Sequence, residues 1–379
     1  MKKGSLSAAM LCFTLVLSAC GTVGAASMAP AAEFSDVKPE HWAASSIQRA
    51  AGSGVVSGLP DGRFNPDVTI SRAEFLKMVI LAAKIKVEGR SGGATWYDPY
   101  VKAAAGDMIY KTTDFTGWTK PISRLEMAKL VVRAVDPSLK SAGDKQLMYE
   151  ATKKGLITGL SDGSIGKEKS STRATAAVVI DRMLTLLDGK TLKVDKRAAS
   201  YAEVDYRGTN LETMWGGHMN PLPQTHDLSY AVRGTFHQIL IIDMDDKDGA
   251  YREWVPSLIK VNGKDWRGDY LVAYKIEMEA LKTVPKTQVF FNRTVGNPYF
   301  RDAVILNQDT TETPLSTRKG LLLNKQNKVI TWHLQTISKV ELSEFQQANF
   351  RFWYFDWSGR GYFELSKDGR LFGNKENSK

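Results

Sequence analysis

The chain has 379 residues, with 51 lysines and arginines against 41 aspartates and glutamates for a formal charge of +10. That length accommodates two or three domains with adequate cores. Its 2 cysteines, Cys12 and Cys20, both lie near the N-terminus, so the rest of the chain is excluded from disulfide stapling, thiol catalysis and thiolate metal binding.

Lys2-Lys3, an apolar stretch over residues 6–17, and Leu17-Ser18-Ala19-Cys20 follow the order of an export signal. The last four residues resemble a lipobox, the processing signal of bacterial lipoproteins. Cleavage before Cys20 makes residues 1–19 a lipoprotein-type signal peptide, leaves Cys20 diacylated as a membrane anchor, and makes residues 20–32 a linker. Ordinary cleavage near Ala25-Ala26 would instead discard Cys20. The apolar stretch is too short for a permanent span. On an exported chain, the positive excess suits an anionic wall polymer or lipid heads better than nucleic acid.

A phrase then recurs: Ile70-Ser71-Arg72-Ala73-Glu74, Ile122-Ser123-Arg124-Leu125-Glu126, and the weaker Ser171-Thr172-Arg173-Ala174-Thr175. Its arginines stand 52 and 49 residues apart, a period that marks a repeat architecture whose units complete one another's cores. The flanks repeat too. Trp42 to Ala51 parallels Trp96 to Ala105, Gly54 to Gly58 returns as Gly155 to Gly159, and the turns Asp61-Gly62 and Asp162-Gly163 sit eleven residues before their arginines. Each unit is predicted as helix, Gly-punctuated loop and second helix, over residues 33–93, 94–139 and 140–189. The second helices carry inner stripes: Leu76, Val79, Ile80 and Ala83; Met127, Leu130, Val131 and Ala134; and Ala176, Val179, Ile180, Met183 and Leu187. These are core, with no cofactor implied.

Phe34-Ser35-Asp36-Val37, His41-Trp42-Ala43, Gly58 with Asp61-Gly62, and Ile70 to Glu74 together resemble the S-layer homology family. The resemblance runs from residue 33 to 189, strong in the first repeat, good in the second and partial in the third. It implies a mostly α-helical, pseudo-threefold domain that binds an anionic, often pyruvylated, secondary cell wall polysaccharide at the bacterial cell surface.

The residues supply a physical reason for such binding. Ser71 with Glu74, and Ser123 with Glu126, have capping-box spacing, which puts Arg72 and Arg124 at the first helical position. A guanidinium beside unpaired helix N–H groups is a preformed site for a carboxylate or phosphate; the plainer alternative is a helix start with a solvated arginine. Arg173 ranks lower, because Thr175 replaces the glutamate and Gly143 stands where Trp42 and Trp96 head the other units. Trp42 and Trp96 read either as core anchors or as walls of a sugar-binding groove.

Beyond a basic linker at residues 190–200, the pattern turns to alternation with Gly-, Asn- and Asp-rich turns, predicting a mainly β domain, sandwich or barrel, over residues 201–379. Phe236 to Met244 with Tyr251 to Val255 reads as one hairpin. Asn349 to Trp357 with Tyr362 to Ser366 reads as another, and Gln288 to Arg293 and Val329 to Leu334 as strands. Alternation puts Phe350, Phe352 and Tyr354 on one face and Trp353, Phe355 and Trp357 on the other, so one face is core and the other is a second core layer or a sugar-stacking platform.

Named catalytic motifs do not occur in this half. Asp243, Asp245, Asp246 and Asp248 before Gly249 lack the rest of a calcium loop and read as a solvated turn. His218, His226 and His237 have no zinc spacing. Two readings follow: a non-catalytic envelope protein whose β domain binds glycan or protein, with no cofactor or metal, or a wall-anchored hydrolase with a catalytic carboxylate pair in that domain.

Overall fold

The computed structural model describes residues 34–89, 95–255, 266–285, 287–290, 295–297, 299–302, 313–315, 320–323, 327–347, 351–356 and 362–366. The signal, Cys20, the whole 20–32 linker, Phe350, Trp357 and the turn after it lie outside the described residues.

Residues 34–189 form three helix–loop–helix units. Their first helices are α1 (Ala44–Gly52), α3 (Asp98–Gly106) and α5 (Asp144–Lys153). The second are α2 (Arg72–Ala82), α4 (Arg124–Val135) and α6 (Arg173–Leu187). Both predicted capping boxes form: Ser71 Oγ accepts from the Glu74 N–H and Glu74 reaches back to the Ser71 N–H, and Ser123 and Glu126 do the same. At α6 the Thr172 hydroxyl alone caps, accepting from the Thr175 N–H.

The extended residues before these helices meet in a closed ring. Ile70 N–H donates to Ser171 O, Ser171 N–H to Ile122 O and Ile122 N–H to Ile70 O, each at 3.0 Å. Each unit thus satisfies another's backbone, and no unit completes its hydrogen bonding alone. The core is equally shared. Leu76, Val79 and Ile80 of α2, Met127, Leu130 and Val131 of α4, and Val179, Ile180 and Met183 of α6 belong to one buried cluster. Leu187, predicted in the α6 stripe, is instead 43% exposed because it sits in the last turn.

Residues 190–200 were expected as a linker, but they run into α7 (Lys196–Arg207). Ala198, Ala199 and Ser200 are buried, and Ala202 joins the core of the helical units. Helix α7 and the short α8 (Leu211–Trp215) lead into a five-stranded antiparallel sheet of order β1-β2-β3-β8-β6. These strands are β1 (Gln224–Ser229), β2 (Val232–Asp243), β3 (Asp269–Ala280), β6 (Arg301–Asp302) and β8 (Lys328–Ser338). A bulge at His237, between the Phe236 and Gln238 pairs, shifts the side-chain alternation of β2. After it, Ile239 and Ile241 face one core while Leu240 and Ile242 face the other.

Sheet cover explains that run of apolar residues. On one face lies a three-stranded sheet of β5 (Val295–Gly296), β9 (Trp353–Asp356) and β10 (Tyr362–Glu364). It places Phe352 and Tyr354 in the core, and Tyr354 Oη donates to Gln335 at 2.9 Å. The other face is covered by Val204 of α7, Tyr251, Val255 and Leu315. A further pair, β4 (Gln288–Val289) and β7 (Leu321–Leu322), forms a separate two-stranded ladder whose Leu321 joins the core of Phe352 and Tyr354.

The β9–β10 hairpin and β8 match the sequence reading. The hairpin of Phe236–Met244 with Tyr251–Val255 does not form: β2 pairs with β3, and Arg252–Trp254 is a single 3-10 turn entered by Tyr251 at φ 62°. Where a sandwich or barrel is expected, the described residues form a five-stranded sheet edged by β1 and β6, with a small sheet on one face and helical and turn residues on the other. Helix α9 (Lys339–Gln347) follows β8. Among the described residues no helix is long and apolar enough to cross a membrane.

Candidate anion-binding clefts

Cyclic packing aims each repeat arginine at a neighbouring unit. Arg72 reaches the loop and α4 of the second unit, Arg124 the loop and α6 of the third, and Arg173 the loop and α2 of the first. Each therefore faces the third helical residue of the next long helix, which is Glu126, Thr175 and Glu74 in turn. That one position decides the electrostatics of each contact.

Arg72 is neutralised. Its Nε and Nη2 donate to the two Glu126 oxygens at 3.0 and 2.6 Å, its Nη1 donates to Thr116 O, and the group lies 5.2 Å from the Phe115 ring centre. The loop it meets, Tyr110 to Phe115, is three residues shorter than Val56 to Phe64 or Ile157 to Ile165; Gly143 stands where Trp42 and Trp96 head the other units, and the nearby Trp118 packs on Phe115 at 5.2 Å between ring centres.

Arg173 is partly compensated. Nε donates to Phe64 O at 2.8 Å and Nη2 to Ser57 O at 3.0 Å, with the Glu74 carboxylate 3.9 Å from Nη1. These groups border a cleft of about 410 Å³ whose other wall is Trp96, 44% exposed. Lys77 Nζ stands 6.0 Å from the Trp96 ring centre.

Arg124 has no such partner. Only 9% exposed, it donates from Nε to Ile165 O at 2.8 Å and from Nη2 to Thr158 O. Among the described residues no carboxylate lies within ion-pair distance of it. Burial pulls its guanidinium below the ordinary value, and the positive charge of Arg182 adds to the pull. Arg182, also shifted down by burial, opens on the same cleft, of about 520 Å³, with Thr175, Gly159 and Trp42. Trp42 is 65% exposed, so both tryptophans stand at cleft rims and neither anchors a core. Two partly desolvated guanidiniums, neither in ion-pair contact with a carboxylate among the described residues, are a cradle for a bidentate anion. The exposed indole beside them adds a flat apolar face. Arg182 lies seven residues beyond the Ser171–Thr175 motif, so the motif's spacing gives no sign of it; its place on α6 two turns after Thr175 is the available signal.

The C-terminal half offers no comparable site among the described residues. Asp243 and Asp245 hold Lys339 at 2.6 and 2.7 Å, and Asp246 accepts from the Asp248 N–H. His226 stacks on Phe363 at 4.6 Å, while His237 sits at the bulge, 3.9 Å from Glu277. Among the described residues no three His, Cys, Asp or Glu side chains converge as a metal site. Glu203 and Glu212 are neighbouring carboxyls. Glu203 is 1% exposed and accepts the Glu212 and Thr213 N–H groups at 3.0 and 2.8 Å. Glu212 is held by Lys153 at 2.5 Å and by Arg207.

Comparison with known proteins matches the S-layer homology domain to residues 33–76. Over 207 residues the chain is 28% identical to the surface-layer 125 kDa protein of Lysinibacillus sphaericus, covering 48% of this chain and 17% of that protein. Over 180 residues it is 28% identical to the exoglucanase XynX of Acetivibrio thermocellus, covering 40% and 16%. A cellulosome-anchoring protein of Acetivibrio thermocellus is 48% identical over 42 residues, 11% of this chain and 9% of that protein. The chain spans less than a fifth of each of these relatives.

Proposed function

We propose, from the S-layer homology domain at residues 33–76 and the surface proteins it resembles, that the chain is a bacterial cell-envelope protein. Residues 33–189 act as three such repeats that hold an anionic, pyruvylated secondary wall polymer. A lipid on Cys20 holds the membrane, and the sheet domain displays a surface for glycan or protein. The observation that carries this reading is Arg124, a buried cation with no ion-paired acid among the described residues, opening with Arg182 and Trp42 on one cleft. Arg124 is the principal contact and Arg173 with Trp96 the second, while Arg72 serves mainly as a clamp on Glu126. Ser71, Glu74, Ser123 and Glu126 support the arginines by starting their helices.

Binding to purified cell-wall sacculi tests this, with sacculi stripped of secondary polymer by hydrofluoric acid as the control. Retention on intact sacculi and loss on stripped ones is expected; equal retention on both sinks the polymer assignment. For Cys20, a fatty-acid analogue should label the wild-type chain and leave Cys20→Ala unlabelled.

A second reading, wall-anchored hydrolysis, draws on the exoglucanase relative. It needs two accessible carboxylates across a cleft, whereas Glu203 has both oxygens on backbone N–H groups in a sealed site. Steady release of soluble fragments from sacculi, abolished by a carboxylate substitution in residues 201–379, would favour it.

A further inference from the structure

The Thr158–Gly159 peptide is gripped from both sides. Its carbonyl accepts from Arg124 Nη2. Its N–H, on the opposite edge of the same planar unit, donates to Asp195 Oδ2 at 2.9 Å. The second Asp195 oxygen accepts from the Ala198 N–H at 3.1 Å and so caps α7, the helix that leads into the sheet domain. One carboxylate therefore starts the C-terminal half and holds the lip of the cleft in the helical half.

We infer that Asp195 is a positioning residue for Arg124, acting through the Thr158–Gly159 peptide so that the sheet domain's first helix sets the orientation of the polymer-binding guanidinium. This rests on the proposed binding at Arg124. Hydrogen bonds in series polarise one another, so a carboxylate on the N–H strengthens the carbonyl as an acceptor for the cation beyond it. A guanidinium held in a fixed plane loses less freedom when it takes up a bidentate anion.

The first unit provides an internal contrast. Arg173 Nη2 donates to Ser57 O, but the space behind Gly58 is filled by the Phe34 ring, 2.4 Å from where a Cβ would stand. Behind Gly159 the same space holds Asp195 and Ala198, at 3.4 and 3.6 Å. One peptide is backed by a ring and the other by a charge. Further along the loop, Lys167 reaches Asp205 of α7 at 2.5 Å, and a Cβ on Gly163 would fall 2.6 Å from the Arg197 guanidinium. The loop walling the Arg124 cleft is thus seated along its back on α7. Asp195 also acts on the cleft's second cation, since its field, with that of Asp181, reaches Arg182.

The test is Asp195→Asn in the full chain, alone and combined with Arg124→Ala, measured on the same sacculi. Asn still caps α7 through its carbonyl oxygen, so the melting temperature should move by only a few degrees. Binding should weaken about three- to tenfold in the Arg124 background and less than twofold once Arg124 is Ala. The Gly159 amide proton should move upfield in the single variant. Equal losses in both backgrounds, or no loss while Arg124→Ala itself binds poorly, would overturn the inference. An Arg124→Ala chain that binds normally would instead remove the reading beneath it. Should Asp195→Asn fold poorly, Asp195→Ser keeps a capping oxygen, and the same two-background comparison decides.

Discussion

Arg124 and Glu203 are both buried charges that form no ion pair with an opposite charge among the described residues, and they resolve the problem in different ways. Glu203 is sealed: its two oxygens accept the Glu212 and Thr213 N–H groups at the start of α8, and burial pushes its carboxyl up to about 7. Arg124 uses two carbonyl oxygens, stays positive, and faces a cleft. A carboxyl can escape desolvation by taking a proton, whereas a guanidinium cannot release one in a protein. The acid therefore becomes a structural group, and the base remains a site for an external anion. Buried charge alone does not mark function; buried charge with an open side does.

The largest effect that would break the comparison is loss of the Arg124 charge. Arg124→Ala should weaken binding to sacculi about ten- to a hundredfold, the range for one charge-assisted contact worth about 1.5–3 kcal/mol. Lys at this position should rescue poorly, since it lacks the planar fork. Unchanged affinity would mean that the cleft is not the polymer site.

Glu203 should respond to pH and not to polymer. Burial raises its pKa to about 7 in the folded chain, above the ordinary glutamate value of 4.5. Between those values the unfolded chain is ionised while the folded chain keeps its proton. Its contribution to stability is therefore full below about pH 4.5 and is lost as pH rises through about 7, on the order of 3–4 kcal/mol at about 1.4 kcal/mol per unit. His226, whose pKa burial lowers, acts with the opposite sign nearby. The informative quantity is thus the difference in melting temperature between wild type and Glu203→Gln. The wild type should lose ground to the variant from pH 4.5 to 7.5. A flat difference would sink the assignment.

Arg72 sharpens the contrast from the other side. Its pair with Glu126 is largely buried, with side chains 17% and 12% exposed. Arg72→Ala strands that carboxylate and should destabilise the fold by about 1–3 kcal/mol, read as a lower melting temperature, with sacculus affinity at 25 °C changed less than threefold.

The helical half was legible because its information is local. Capping boxes, the core stripes and the repeat arginines all follow from spacing within a few residues of the motif. What the sequence reading missed was which unit each arginine would face. It therefore took Thr175 as a defect beside Arg173, whereas the cyclic packing sets Thr175 opposite Arg124. The sheet half was less legible for the same reason. β2 pairs with β3 across an intervening turn and a long gap, while Tyr251 and Trp254 are drawn onto the rear face of the sheet. The start of α7 reads as part of a basic linker because Lys190, Lys193, Lys196 and Arg197 all fall within residues 190–200. The helix's buried positions, Ala198, Ala199, Ser200, Ala202, Glu203 and Val204, include one large apolar residue, so they carry little hydrophobic signal.

The gentlest change puts that correction directly to the test. Thr175→Glu restores the residue found at the same position in the other two units. Its backbone site already forms the Thr172 cap at 3.2 Å, and a glutamate three residues after the N-cap would complete the capping box. Its carboxylate would face Arg124 as Glu126 faces Arg72. Stability should rise by about 0.5–1 kcal/mol, while affinity for sacculi should fall about three- to tenfold as an internal anion competes for the guanidinium. These opposite signs separate a filled site from general damage, which would lower both. If stability rises and binding is untouched, the free charge at Arg124 is not what the polymer recognises. If binding falls only when Glu74 or Glu126 is altered instead, the acid-free cleft is the wrong one.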